Sequence, residues 1–341
     1  MERISESDVR IVQNIYSQAG RVEVYKVQQI RTGNFLCMKK IAVKDINEAS
    51  QMQSEFVSMA ELNGDGILKF ISASFSGSGN QITHVIIFTE FCEEGDLQFF
   101  INNRVNYKQY FTEDELLAYL KQLVGTFSYM QAKGTCHRDI KPQNLFVFNK
   151  GKNIKVGDLG NAIKDNDYQG RSVAGTPLYL SPKLRECYSS GGGMFGVNHN
   201  VYKSDVYSLG LVFLYMASLK PPNDLTNLNG LDQMIKHRLS EIRESYPQLE
   251  KYLESMLEVH EEDRCDFKEL SKEISSGRVS GHITSKNISE QIGGRKLTHI
   301  EAKCMHCTAN ANEDNLFIYN AAVLCTKCKD DIMKSIQKRD L

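Results

Sequence analysis

Asp139, Lys141 and Asn144 fall within one eight-residue run, His137-Arg138-Asp139-Ile140-Lys141-Pro142-Gln143-Asn144. A carboxylate, an amine and an amide at these offsets on a short loop can hold a hydroxyl, a phosphate and a divalent cation at a single point. A second carboxylate, Asp158, follows nineteen residues after Asp139 in Val156-Gly157-Asp158-Leu159-Gly160. Further upstream, the apolar stretch Leu36-Cys37-Met38 ends on Lys39. Two carboxylates, two amines and an amide suit chemistry in which phosphate charge is neutralised while a hydroxyl is held in line. A separate constellation lies near the C-terminus, where Cys304-Met305-His306-Cys307 and Cys325-Thr326-Lys327-Cys328 form two C-x2-C pairs seventeen residues apart.

The elements that must position these groups change along the chain. Residues 8 to 100 read mainly as short strands, with Val22–Val27 and Phe35–Lys39 flanking the turn signal Thr32-Gly33-Asn34. A helical stretch around Ala49–Leu62 and an apolar strand at Val85–Phe91 follow. Beyond Asp96 the pattern is helical, and Thr112-Glu113-Asp114-Glu115 reads as a capping box before Leu116, Leu117, Leu120 and Leu123. Strand-rich first and helix-rich second, with the reactive loops near the junction, predicts an α+β, bilobal protein with a cleft between the lobes. The Gly- and Ser-rich stretch Ser189–Gly193 reads as an exposed loop, and the chain turns polar and aperiodic from Ser275 to about Leu297, as a linker does.

Composition narrows the classes. The 341 residues carry 41 Lys plus Arg against 42 Asp plus Glu, so bulk charge offers nothing to nucleic acid or a membrane surface. The longest strongly apolar stretch, Leu209–Leu219, is too short to span a bilayer and reads as a buried helix. The first residues have no signal-peptide core. Apart from the two tight pairs, five cysteines are scattered singly, the pattern of reduced thiols in a cytoplasmic protein.

The run 137–144 resembles the catalytic loop of eukaryotic-type serine/threonine protein kinases, His-Arg-Asp-x-Lys-x-x-Asn, and the resemblance extends over about residues 8–278. It implies a kinase fold with an N-lobe over about 8–90 and a C-lobe over about 96–278, with ATP and magnesium as cofactors. Asp139 would orient or accept the proton of a protein hydroxyl. Lys141 would stabilise the transferring phosphate, and Asn144 and Asp158 would bind magnesium. Lys39 becomes the phosphate-binding lysine, with Glu55 as its helical partner and Glu48 as the fallback register. Thr89-Glu90-Phe91-Cys92 resembles the hinge, with backbone at Glu90 and Cys92 for adenine, Asp96 for ribose, and a small gatekeeper in Thr89. Gly175-Thr176-Pro177-Leu178-Tyr179 resembles the substrate-docking end of an activation segment. Lys141 and Thr176 together favour Ser/Thr substrates. Ser172 stands where an activating phosphate is often carried, within reach of Arg138. Asp205 begins the helix that anchors the catalytic loop. Gly157-Asp158-Leu159-Gly160 and Ser172–Thr176 are weakly similar to the NIMA-related branch.

Two departures from that pattern stand out. Val24 lies fifteen residues before Lys39, and counting back from it puts Ser17, Ala19 and Val22 at the three positions of Gly-x-Gly-x-x-Gly. Ser17, Ala19 and Val24 would then line the ATP site without glycine's freedom to approach phosphate. Second, Ser181-Pro182-Lys183 replaces Ala-Pro-Glu, so Lys183 cannot pair with Arg264, and Glu186 is the candidate substitute. Both departures predict a weaker ATP grip and a softer activation segment.

The C-terminal cysteines have the spacing of a tetrathiolate zinc site, with Cys304, Cys307, Cys325 and Cys328 as ligands in a module over 301–332 after a linker at 279–300. Disulfides or unconnected thiols are the alternative. Such a module implies structural zinc and a surface for a protein partner. The combined expectation is a cytoplasmic serine/threonine kinase acting on protein substrates. The alternative is a pseudokinase or scaffold that binds nucleotide with little turnover.

Overall fold

The computed structural model describes residues 4–18, 20–78, 81–164, 173–190 and 198–276, and the backbone of four short strands between 302 and 325. It divides into a unit ending at Ser280 and a second beginning at Gly281.

The first unit opens with a five-stranded antiparallel sheet. Its strands are β1 (Val9–Gln18), β2 (Val22–Gln29), β3 (Phe35–Ala42), β4 (Phe70–Ser78) and β5 (Gln81–Glu90), in the order β1-β2-β3-β5-β4. The β2–β3 hairpin falls where Thr32-Gly33-Asn34 predicts it: Gly33 takes φ 75°, and Gln29 N–H bonds Asn34 O at 2.8 Å. Between β3 and β4 runs helix α1 (Ile46–Ala60). Asp45 starts it by accepting from Asn47 and Glu48 N–H, both at 2.9 Å.

Period-two alternation splits the sheet's side chains between two faces. Val85 and Ile87 pack with Ala49 and Phe56 of α1 on one face. On the other, Val27, Leu36, Met38, Ile86 and Phe88 are closed over by Ile4, which is 3% exposed. Ile4 is held there by its backbone N–H on Ser72 Oγ at 3.1 Å.

The C-lobe is helical: α2 (Leu97–Asn106), α3 (Glu113–Ala132), α4 (Pro182–Ser189), α5 (Val201–Ser218), α6 (Leu231–Ile242), α7 (Pro247–Met256) and α8 (Phe267–Ser276). The Thr112 box forms with both bonds, Glu115 N–H to Thr112 Oγ1 at 3.2 Å and Thr112 N–H to Glu115 Oε2 at 2.8 Å. The apolar stretch near 209–219 lies mostly in α5, buried on nearly every face, and this helix is the lobe's central post. Helix α8 continues to Ser276, so the polar composition from Ser275 begins inside a helix and not after it. Short strands β6 (Thr135–Cys136), β7 (Leu145–Phe148), β8 (Asn153–Val156) and β9 (Ile163–Lys164) pair as β6–β9 and β7–β8 and carry the loops between them.

Behind the cleft the lobes are joined through backbone. Leu68 N–H bonds Val156 O at 2.7 Å, and Val156 N–H bonds Gly66 O at 2.8 Å. A Cβ at Gly66 would stand 1.9 Å from Thr126 Oγ1 on α3, so only glycine lets this connection seat so close to the helix.

In the second unit, β10 (Ala302–Lys303) pairs with β11 (Asn310–Ala311), and β12 (Leu316–Tyr319) with β13 (Ala322–Cys325). Among the described residues no helix is long and apolar enough to cross a membrane.

Candidate active site

The loop after β6 is hung from α5. Asp205, 3% exposed one turn into that helix, accepts from His137 N–H at 2.7 Å and Arg138 N–H at 2.9 Å, one on each carboxylate oxygen. Burial raises its pKa, and His137 and Arg138 work against that rise. Arg138 sits at φ 69°, an uncommon backbone for a non-glycine residue, held by these bonds. His137 is buried, and one neutral tautomer satisfies both its contacts: Nδ1 accepts from Asp139 N–H at 3.2 Å, and Nε2–H donates to Gly157 O at 3.0 Å. The imidazole thereby couples the loop carrying Asp139 to the turn carrying Asp158.

Asp139 is held on both oxygens. Thr176 Oγ1–H donates to Oδ1 at 2.7 Å, Lys141 Nζ lies 2.9 Å from Oδ2, and Asn144 Nδ2 donates to Oδ2 at 3.1 Å. Lys141 Nζ also donates to Thr176 Oγ1 at 2.8 Å, closing a ring. Burial would raise the Asp139 pKa, but the bonds from Lys141 and Thr176 outweigh it and hold the carboxyl below its ordinary value. Such a carboxylate stays ionised at neutral pH, so it can orient a hydroxyl before it accepts a proton. Asn144 is buried, and its amide nitrogen also donates to Asp139 O at 2.7 Å, which leaves its oxygen as the donor it can offer a cation.

Gly175 explains how Thr176 gets so close. It takes φ 114°, and a Cβ there would stand 2.6 Å from Arg138 O.

Asp158 occupies the left-handed region at φ 48°, ψ 61°, and its Oδ1 lies 2.6 Å from Lys39 Nζ on β3. Burial raises its pKa, while the Lys39 ammonium more than offsets this and lowers it. Two residues distant by 119 positions thus meet across the cleft. Glu55 lies on α1, with its side chain outside the described residues. The carboxylate of Glu48, the fallback, accepts Lys44 N–H at 2.7 Å at the start of α1.

At the cleft's edge, the Cys92 thiol donates to Val147 O at 2.8 Å, and burial pushes its pKa up to about 11, so it is inert. Asp96 caps α2, accepting from Phe99 N–H at 2.8 Å, and burial raises its pKa. The reading of Asp96 as a ribose contact therefore assigns a second task to a carboxylate already holding a helix end. In the β1–β2 hairpin, Ser17 pairs with Glu23, Gln18 with Val22 and Tyr16 with Val24, and Arg21 N–H closes on Gln18 O at 3.0 Å. In that turn Gly20 takes a positive φ, 70°; Ala19 and Ser172 lie outside the described residues.

The expected Glu186–Arg264 pair is not formed. Glu186 is exposed, and Arg264, 1% exposed, spends its guanidinium on three carbonyls: Glu258 O at 2.8 Å, Lys203 O at 3.1 Å and Val259 O at 3.1 Å. It also lies 4.8 Å over the Tyr207 ring. Lys183 pairs instead with Glu261 at 3.2 Å, three residues before Arg264. Sequence reading missed Glu261 because no motif position marks it; the signal available was a lysine standing where a carboxylate is expected, which calls for an acid nearby.

Residues 18–274 match the family model described as protein kinase domain, and the chain belongs to that family. It is similar to the serine/threonine-protein kinase Nek5 of Mus musculus, 27% identical over 78% of this chain and 42% of that protein. The probable serine/threonine-protein kinase nek2 of Dictyostelium discoideum is 28% identical over 72% of this chain and 58% of its own length. The MAP3K epsilon protein kinase 1 of Arabidopsis thaliana is 28% identical, over 72% and 17%. The chain spans about half the length of the first two relatives.

Proposed function

We propose that the chain transfers the γ-phosphoryl group of ATP to serine or threonine hydroxyls of protein substrates. The observation that carries this reading is the closed ring Asp139–Lys141–Thr176, beside the Lys39–Asp158 pair. Asp139 orients the incoming hydroxyl and takes its proton late. Lys141 stands next to the same hydroxyl position and opposes charge on the transferring group. Lys39 holds the phosphates, and Asp158 and Asn144 would hold magnesium, whose chemistry is to bridge phosphate oxygens and neutralise their charge. Glu90 and Cys92 offer backbone to adenine. Ser17, Ala19 and Val24 would cover the site, in a sequence lacking glycine at the three expected positions, which supports a weakened ATP grip. Arg138, Ser172 and Thr176 would serve regulation and substrate docking. The scaffold reading gains no specific support, because Asp139, Lys141 and Asn144 adjoin one another and Lys39 pairs with Asp158.

The test is phosphotransfer to a generic basic protein with magnesium-ATP. Asp139→Asn is expected to lower turnover by about a thousandfold while leaving magnesium-ADP affinity within a factor of two or so. Wild-type protein that binds nucleotide yet shows no transfer would move the reading to the scaffold.

We further propose that Cys304, Cys307, Cys325 and Cys328 bind one structural zinc ion. The backbone supports it: Cys325 ends β13, and β10, the strand that Cys304 follows in sequence, lies beside β13. Tetrahedral thiolate coordination would drive folding of a segment this small, and its surface would serve a protein partner. Native mass spectrometry is expected to find one zinc per chain, lost in Cys325→Ser; a metal-free wild-type protein refutes it. The described single cysteines are all free thiols, which supports placement in the cytoplasm.

A further inference from the structure

The segment between β5 and α2 is gripped by side chains from both lobes, and the grips cross. Lys26 of β2, in the N-lobe, reaches over to Glu93, with Nζ 2.8 Å from Oε2. The same ammonium lies 4.4 Å from the ring centroids of Phe35 and of Phe91. Lys155 of β8, in the C-lobe, reaches the opposite way to Glu90, the last residue of β5, at 2.7 Å, with the Phe148 ring 4.6 Å away. Glu90 Oε1 also accepts Lys69 N–H at 2.7 Å. Each cation is attached to one lobe and bonded to the part of the connection that belongs to the other.

Two further facts fix the geometry. Glu94 accepts Lys150 N–H at 2.7 Å and Gly151 N–H at 2.8 Å, which ties the far end of the connection to the β7–β8 turn. Both members of the Lys155–Glu90 pair are partly withdrawn from water, at 22% and 25% exposed, so it is less screened than a surface pair, whereas Lys26, 16% exposed, reaches a carboxylate that stays in water. Opening the lobes would stretch both pairs together. A ring-flanked ammonium loses cation–π attraction as well as its carboxylate when pulled away.

We infer that Lys26 and Lys155 are positioning residues that hold the connection in its nucleotide-binding geometry. They act through Glu90, Phe91 and Glu93, and they offset the hairpin's missing glycines by preorganising the cleft. Preorganisation improves affinity by removing an ordering cost, so the effect falls on nucleotide binding rather than on the transfer step. The inference rests on reading the cleft as an ATP site.

The experiment measures magnesium-ADP affinity by calorimetry, and KM for ATP and kcat by phosphotransfer, on the full chain. The variants are Lys26→Met, Lys155→Met, the double variant, Lys26→Arg and Glu93→Gln, each checked by thermal melting. Each single Met variant is expected to weaken magnesium-ADP binding and raise KM about threefold, and the double variant about tenfold, with kcat within about twofold. Lys26→Arg restores wild-type affinity, and Glu93→Gln, at an exposed carboxylate, matches Lys26→Met without loss of fold. In 0.5 M sodium chloride, a concentration on the order of those that collapse the Debye length, the gap between wild type and double variant narrows. Unchanged nucleotide affinity in a folded double variant overturns the inference. So does a loss of kcat and melting temperature with KM unmoved, which marks plain packing. Absence of magnesium-ADP binding by the wild type would instead sink the ATP-site reading, and this inference with it.

Discussion

Replacing Asp205 with alanine should abolish measurable phosphotransfer and lower stability by about 2–5 kcal/mol, although the residue touches none of the reacting groups. The carboxylate is the joint acceptor for His137 and Arg138 N–H, and it is buried, so no water stands ready to replace it. Its loss orphans two backbone donors, each at about 1–3 kcal/mol. It also frees Arg138 from the left-handed backbone that those bonds hold, and relaxation there moves Asp139 away from Thr176. Asp205→Asn separates the two effects. One oxygen remains to accept one N–H, while the amide nitrogen turns toward the other donor, so about half the stability loss is expected with most of the activity loss. Urea unfolding and single-turnover phosphotransfer on both variants check this. Full activity in Asp205→Asn would show that the loop keeps its shape without the second bond.

This dependence explains which parts of the site could be read from sequence. Asp139, Lys141, Asn144 and Asp158 sit in runs whose internal spacing is itself the signal, because each run is a single loop. The pairing of Lys39 with Asp158 needs the fold, since nothing local relates positions so far apart. The two-lobe division was legible from strand periodicity giving way to helix periodicity. The hairpin at Gly33 and the box at Thr112 were legible because each is a local hydrogen-bonding device. Ile4 was not: a lone isoleucine in a polar N-terminal stretch carries no period, and its burial comes from a sheet face formed by β2, β3 and β5. The same holds for Lys26 and Lys155, ordinary strand lysines until Glu93 and Glu90 are placed beside them. At α1 the bond from Lys44 N–H shows Glu48 serving the helix start, a role that no local period in the sequence marks.

At the base of the activation segment, beside the Lys183–Glu261 pair, the burial of His199 makes the fold acid-sensitive. This imidazole, its side chain 3% exposed just ahead of α5, accepts or donates at Ser204 Oγ over 2.8 Å, and Ser204 Oγ lies 3.1 Å from Ser181 Oγ. Burial depresses its pKa from 6.5 to about 4; Glu261, whose Oε2 lies 3.8 Å away, pulls the other way but is engaged by Lys183, and Lys183 and Arg138 add to the depression. With the folded pKa below the unfolded one, the unfolded chain binds more protons between pH 6.5 and 4. Stability contributed by the neutral imidazole is therefore complete above about pH 6.5 and declines as pH falls toward 4. From pH 7 to pH 5 the expected loss is about 2 kcal/mol. The lowered carboxyls of Asp139 and Asp158 contribute only further into acid, below their ordinary 3.8, so they do not blur this window. Urea unfolding at pH 7, 6 and 5 should show the decline in wild type and little of it in His199→Gln. Equal slopes in the two proteins would remove His199 from the account. Because Ser204 precedes Asp205 on the same helical turn, protonation at His199 disturbs the post from which the catalytic loop hangs. Phosphotransfer should therefore fall with acid before the chain unfolds, and His199→Gln should carry that loss to lower pH.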